Sequence, residues 1–279
     1  MYYYIDKMTT LDNLFKSKEF SKYTEKSYKT QYNKLTKKLG KEIADATESE
    51  IVEASMLEPN INSKQALLNI GLVIKRFLKQ PYDMIELQRE ENKGKVAKHI
   101  KDTNVKKADT LPTLNSIVEH MDSVLEKKEY RNYIINYLLI NLNTRNQDLN
   151  ITFVDKKSDM VNDTVNYMWV DRRAKKIVYV RNAYKTASTY GPKTEVINSE
   201  EFMDAVKKYR KADGDKLIPN EENTGHWVEL ATLDKMGSGN YYKIIVNAFK
   251  NDLQKLKQLA EQRGSSLDTM AEHYDIDNK

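Results

Sequence analysis

Four stretches of this sequence set anion-binding or nucleophilic side chains at definite spacings. NLNTRNQDL (141–149) holds Arg145 three residues before Asp148. A guanidinium offers a planar fork of donors to a phosphate oxygen, and an Arg in a last helical turn also favours the helix dipole. IVYVRNAYKTASTYGPKTEVI (177–197) carries Lys185 just after a strand-like run and Lys193 just beyond Gly191-Pro192. An ammonium there either protonates a leaving oxygen and stabilises a strained phosphate, or is an ordinary surface charge on a hairpin. RGSSLDTMAEHYDI (263–276) separates Gly264 from Tyr274 by ten residues. A phenol, with a free pKa of about 10, attacks phosphorus only when neighbouring groups remove its proton or stabilise its charge. The plainer reading of Tyr274 is a packed ring, one tyrosine among 18. GNYYKIIVNAF (239–249) supplies a single cation, Lys243.

Helices around a small sheet must position these groups. Tyr28, Tyr32, Leu35 and Leu39 form an apolar stripe over 24–39, with lysines mostly off it and Gly40 as its stop. Thr47 starts a short acidic helix over 48–56, which Pro59 and neighbouring asparagines end. Further helices are predicted over 63–79 and 82–99, completing an N-terminal helical unit over 1–102. TNVKKADTLPT (103–113) is polar, basic and contains Pro112, and reads as a linker to a second domain over 114–279. That domain opens with helices over 114–127 and 130–142. Strands follow at 165–170, 176–180 and 194–198, close enough in sequence to form an antiparallel meander. Helices resume at 199–212, 241–263 and 266–273, Ser199 marking the first start. The fold class is mainly α with a small antiparallel sheet (α+β).

Composition removes other chemistries. The 279 residues include no cysteine, which excludes disulfides, thiolate zinc sites, iron–sulfur clusters and a thiol nucleophile. Four scattered histidines (His99, His120, His226, His273) have no metal-ligand spacing, and no phosphate-binding glycine loop occurs, so no cofactor is expected. No apolar run approaches the roughly 18–20 residues that span a bilayer, and MYYYIDKM lacks the pattern of a signal peptide. No membrane partner is expected, and the location is intracellular: cytoplasmic, nuclear or virion-associated. The net charge of +5 is unevenly placed. Residues 1–108 hold 21 Lys and Arg against 15 Asp and Glu, and residues 109–279 hold 25 against 26. A basic N-terminal part suits a polyanion, nucleic acid above all, or simply a solvated Lys-rich helical surface.

Taken together, these segments resemble the tyrosine recombinase, or phage-integrase, family, in particular the integrase-like proteins of large DNA viruses and mobile elements. The resemblance implies an N-terminal helical DNA-binding unit and a catalytic domain that clamp double-stranded DNA. Lys22, Lys26, Lys29, Lys37 and Lys75 would contact the backbone. Arg145, supported by Asp148, would clamp the phosphate with Lys185 (or Lys193) and Lys243, while Tyr274 attacks. The implied reaction is DNA cleavage and rejoining through a 3′-phosphotyrosyl link, needing neither metal nor ATP, by dimers or tetramers on DNA. Two positions depart from the pattern. Lys243 stands where the family has the Arg of its H-x-x-R motif, and Ser265 stands where it has a Gly-His histidine. A Lys has charge without the bidentate fork, and loss of one preorganised donor commonly costs on the order of 10²–10³ in rate. His226 and His273 are the candidate substitutes. The five residues after Tyr274 leave little for the terminal helix that many members donate to a neighbour. The alternatives are an inactive relative that binds DNA as an architectural or virion component, and a helical protein-interaction module.

Overall fold

Helix boundaries in the first part of the chain follow their capping residues. The computed structural model describes residues 10–108 and 110–274, without the side chains of residues 22, 105, 107, 108 and 272–274. After α1 (Thr10–Ser17), the Ser21 side chain accepts from Thr24 N to open α2 (Lys22–Leu39). Gly40, at φ 67°, closes α2 in the left-handed conformation that glycine adopts without a Cβ penalty. Thr47 and Glu50 form a reciprocal capping box at the start of α3 (Glu48–Met56), and Asn60 caps α4 (Ile61–Phe77). The stripe read from the sequence turns inward as its period requires: Tyr32 and Leu35 are buried, and Tyr28 and Leu39 pack against the same core. Ile43, Ile51, Leu67, Leu68, Ile74 and Ile85 complete that core.

The last helix of this part, α5 (Asp83–Ala108), runs further than the sequence suggests. Residues 103–108, expected as linker, continue it, because no Gly or Pro occurs between Gly94 and Pro112 and polar residues alone do not end a helix. The chain divides into two compact units after Ile100, inside this helix.

The second unit wraps helices around one sheet. Thr113 caps α6 (Leu114–Glu126), which packs on the largely buried α7 (Tyr130–Asn141). Four strands follow in spatial order β1 (Ile151–Val154), β2 (Asn166–Asp171), β3 (Lys176–Arg181) and β4 (Lys193–Ile197), with the short α8 (Ala187–Tyr190) between the last two. The three expected strands pair antiparallel, but β1 adds a fourth that runs parallel to β2, so the sheet is mixed. Four residues, ITFV, are too few to carry a periodic signal, although Ile151 and Phe153 point inward as alternation demands.

Ser199 caps α9 (Glu200–Asp213), after which come α10 (Thr224–Ala231), α11 (Ser238–Ala248), α12 (Leu253–Arg263) and α13 (Leu267–Tyr274). The expected helix over 241–263 is thus two helices. Asp252 breaks it by capping α12, its side chain accepting from Lys255 N. Tyr133, Ile134, Phe153, Met168, Tyr179, Phe202, Tyr209, Tyr241 and Tyr242 form the shared core. The architecture is mainly helical with one small sheet, an α+β fold. Among the described residues no helix is long and apolar enough to cross a membrane.

Candidate functional site

A helix C-terminus leaves carbonyls without intrahelical partners and carries partial negative charge, so it gathers cations. The C-terminus of α12 does this with residues from three distant segments. Lys193, at the start of β4, donates to the Glu261 carbonyl. Arg181, at the end of β3, donates from Nη2 to the Gln262 carbonyl at 2.8 Å. Arg145 donates from Nη1 to the Arg263 carbonyl, and its Nη2 lies 3.5 Å from the Gly264 carbonyl. Thr186 adds a hydroxyl bond to the Gly264 carbonyl at 2.8 Å.

Arg145 stands just past α7, at the head of a 3₁₀ turn over Asn146–Leu149. Asp148 fixes it there: one carboxylate oxygen accepts from Arg145 N at 3.0 Å and from Arg181 Nη1 at 3.4 Å. Asp148 is fully buried. Burial raises its carboxyl pKa, against the pull of the Arg145 N–H and of the Arg181, Arg145 and Arg263 charges. Arg263 returns the clasp. It is 3% exposed, donates from Nη1 to the Asn143 and Thr144 carbonyls at 3.2 Å each, and lies 4.1 Å from the Tyr242 ring centroid. Each of these two arginines therefore holds the backbone that carries the other.

The turn into α13 is tightly enclosed. Gly264 has φ +66°, and a Cβ there would lie 2.7 Å from Thr186 Oγ1 and 2.9 Å from Tyr184 Cε2. Beyond it, Ser265 Oγ is buried with no hydrogen-bond partner among the described residues. Ser265 borders a cleft of about 340 Å³ shared with Tyr190, Lys193, Lys257, Ala260, Glu261 and Leu267. Burial, with the Arg181 charge next, lowers the Lys193 pKa from its ordinary value. Two ammonium groups, Lys193 and Lys257, and one carboxylate, Glu261, line the cleft, so its charge is mixed with a cationic excess. Among the described residues no group of His, Asp and Glu could hold a metal ion.

The residues singled out in the sequence are distributed unevenly around this turn. Arg145, Asp148 and Lys193 meet there. Lys185 is exposed, next to Tyr184 and Thr186, which do touch the turn. Lys243 donates to Asn104 of α5 at 2.6 Å. Tyr274 is the last residue of α13, and its side chain lies outside the described residues, as does that of His273. His226 is exposed on α10.

Of the N-terminal lysines, Lys26, Lys29 and Lys37 are exposed on α2, and the side chain of Lys22 lies outside the described residues. Lys75 is different. It is 4% exposed, and its ammonium donates to the Ala44 and Ala46 carbonyls and to Gln80 Oε1 at 3.2, 2.5 and 2.7 Å. It is an internal staple and not a surface cation, since a buried ammonium must spend its donors on protein acceptors. Sequence reasoning missed Arg181 and Arg263. The first was legible in part: Ile177, Tyr179 and Arg181 share the inward phase of β3. Arg263 had no signal beyond preceding Gly264.

No protein-family model matches the chain, and no curated protein sequence matches it. Among solved structures it is similar to the crystal structure of XerA recombinase, at 12% identity and a TM-score of 0.39, over 96% of this chain and 93% of that one. A likeness of that size assigns neither a site nor an activity.

Proposed function

We propose that this protein binds duplex DNA and acts as a tyrosine-recombinase-like strand transferase. One observation carries the reading: three segments far apart in sequence, those of Arg145, Lys193 and Gly264, meet at the turn that begins the Tyr274 helix. In the reaction, the Tyr274 hydroxyl gives its proton to solvent and its oxygen bonds to phosphorus as the bond to the 5′ oxygen breaks. The leaving 5′ oxygen takes a proton, from Lys185 on the sequence pattern or, alternatively, from Lys193. A second DNA 5′-hydroxyl reverses the step and releases the tyrosine, so no external energy source is required. The cleft beside Ser265, with Lys193 and Lys257 against the single carboxylate of Glu261, leaves a cationic excess next to this turn. Exposed Lys26, Lys29 and Lys37 would add sequence-independent backbone contacts.

A second reading is favoured by a specific observation: Arg145 and Lys193 already cap α12, and Lys243 is bonded to Asn104. Cations so engaged suit a protein that binds DNA without cutting it. Incubation with a suicide duplex, followed by denaturing electrophoresis, separates the two. A covalent adduct that disappears in Tyr274→Phe supports strand transfer. Salt-sensitive binding without an adduct supports the second reading, and an adduct undiminished in Tyr274→Phe rejects the assigned nucleophile.

A further inference from the structure

A separate cationic cleft of about 260 Å³ opens where the β2–β3 turn meets the C-terminal half of α9. Its construction follows from local sequence. Asp171 Oδ1 accepts from Arg173 N and Ala174 N at 3.1 Å each, which folds the turn and sends Arg172, Arg173 and Lys175 into solvent. On α9, Phe202, Val206 and Tyr209 face the core, while Lys207, Arg210 and Lys211 share a flank at three- and four-residue spacing.

The charges in this cleft are unequal in their commitments. Arg210 is pinned by Asp155 at 3.0 Å and by Asp215 at 2.6 Å, so both carboxylates that line the cleft are spent on it. Arg172, Lys207 and Lys211 line the same space and make no ion pair among the described residues. Like charges four residues apart on a helix oppose each other, and a multivalent anion between them relieves that opposition. Val170 is the single apolar lining residue, and no aromatic ring lines the cleft. Nothing here would stack a base or bury a hydrocarbon body.

We propose that this cleft binds closely spaced phosphate groups, as presented by a nucleic-acid backbone or by a free polyphosphate. The inference is independent of Tyr274 and of strand cleavage. The probes are inorganic tripolyphosphate, followed by calorimetry, and a fluorescent duplex DNA, followed by anisotropy across a salt series. Both are used with the full chain and with the Arg172→Gln/Lys207→Gln/Lys211→Gln variant.

Tripolyphosphate is expected to bind the native chain and to protect Lys207 and Lys211 from acetylation, read by mass spectrometry. The triple variant is expected to bind it at least tenfold more weakly. If duplex binding also weakens, and the slope of log affinity against log salt falls by about 2–3, the phosphates come from a nucleic-acid backbone. If only tripolyphosphate is lost, the source is a free polyphosphate. Asp155→Asn, which removes one carboxylate from the rim, is expected to tighten tripolyphosphate binding. Absence of lysine protection, or equal binding by native chain and triple variant, overturns the inference. Tyr274→Phe leaves every one of these readouts in place, so failure here is distinct from failure of the strand-transfer reading.

Discussion

Arg263 gives the sharpest test of the clasp, because its replacement removes contacts from one side of it only. In Arg263→Leu the Asn143 and Thr144 carbonyls lose a charged donor at 3.2 Å each, and Tyr242 loses the guanidinium 4.1 Å from its ring centroid. A hydrogen bond to a charged group is worth about 1.5–3 kcal/mol, and a desolvated cation–π contact about 2 kcal/mol. Leucine recovers part of this, because it carries no charge to desolvate. The expected net loss is about 3–5 kcal/mol, because two buried carbonyls are left without a donor, at about 1–3 kcal/mol each, and the ring contact is lost. The two tryptophans, Trp169 and Trp227, both lie in the second unit, so their fluorescence in a urea titration reports on that unit alone. With an m-value of about 2 kcal/mol/M, the midpoint should fall by roughly 1.5–2.5 M. Arg263→Lys keeps the charge but not the planar fork, and should fall between the two. A loss under about 1 kcal/mol in Arg263→Leu would refute the claim that this side chain holds the Arg145 loop.

Two further outcomes follow from the same reasoning. Gly264→Ala forces a Cβ into the left-handed region and against Thr186 Oγ1 at 2.7 Å; a loss of about 2–4 kcal/mol in the same titration is expected, and a neutral result would contradict the tight turn. Glu50, which joins the Thr47 cap and pairs with Lys41, has its pKa lowered to about 2, first by the Lys41 hydrogen bond and then by those from Thr47. A lowered carboxylate contributes stability above its unfolded value, near 4.5, and loses it as pH falls towards 2. The melting temperature of Glu50→Gln should therefore lie below that of the native chain at pH 7, with the gap closing in acid; a gap that persists near pH 2 would sink the assignment.

The elements most legible in the sequence were those whose ends are written in capping chemistry. Thr47, Gly40 and Ser199 mark boundaries that the structure keeps within two residues. Strands β2 to β4 were legible because β-branched and aromatic residues cluster between turn signals. Elements fixed by tertiary context were not: β1 is a strand because β2 offers it a partner, and the interruption at Asp252 competes locally with a helical pattern that continues on both sides. At the candidate site, Arg145 and Asp148 were legible as types at a spacing, and their meeting with the Gly264 turn is what folding adds. Lys75 shows the reverse, since a basic helix face seen in sequence gives no sign that one of its lysines turns inward.

The cluster at the end of α12 has two physical accounts, and they are compatible. Carbonyls at a helix C-terminus carry together roughly half an elementary charge, whereas a phosphodiester carries a full one. A phosphate at Ser265 can therefore compete for a cation, but only for one that is able to move. Arg181 cannot, being fully buried and shared between Asp148, Glu195 and the Gln262 carbonyl. Arg263 is likewise enclosed. Lys193 can: it is half-buried, lines the cleft beside Ser265, and lies over the Tyr184 and Tyr190 rings at 5.6 and 5.7 Å. Its contact with the Glu261 carbonyl is a single bond, and its flexible stem allows the ammonium to swing towards an incoming anion while the arginines keep the turn in place. On the proposed reading, Arg181 and Arg263 would hold the turn in place, and Lys193 would be the group that answers to a ligand.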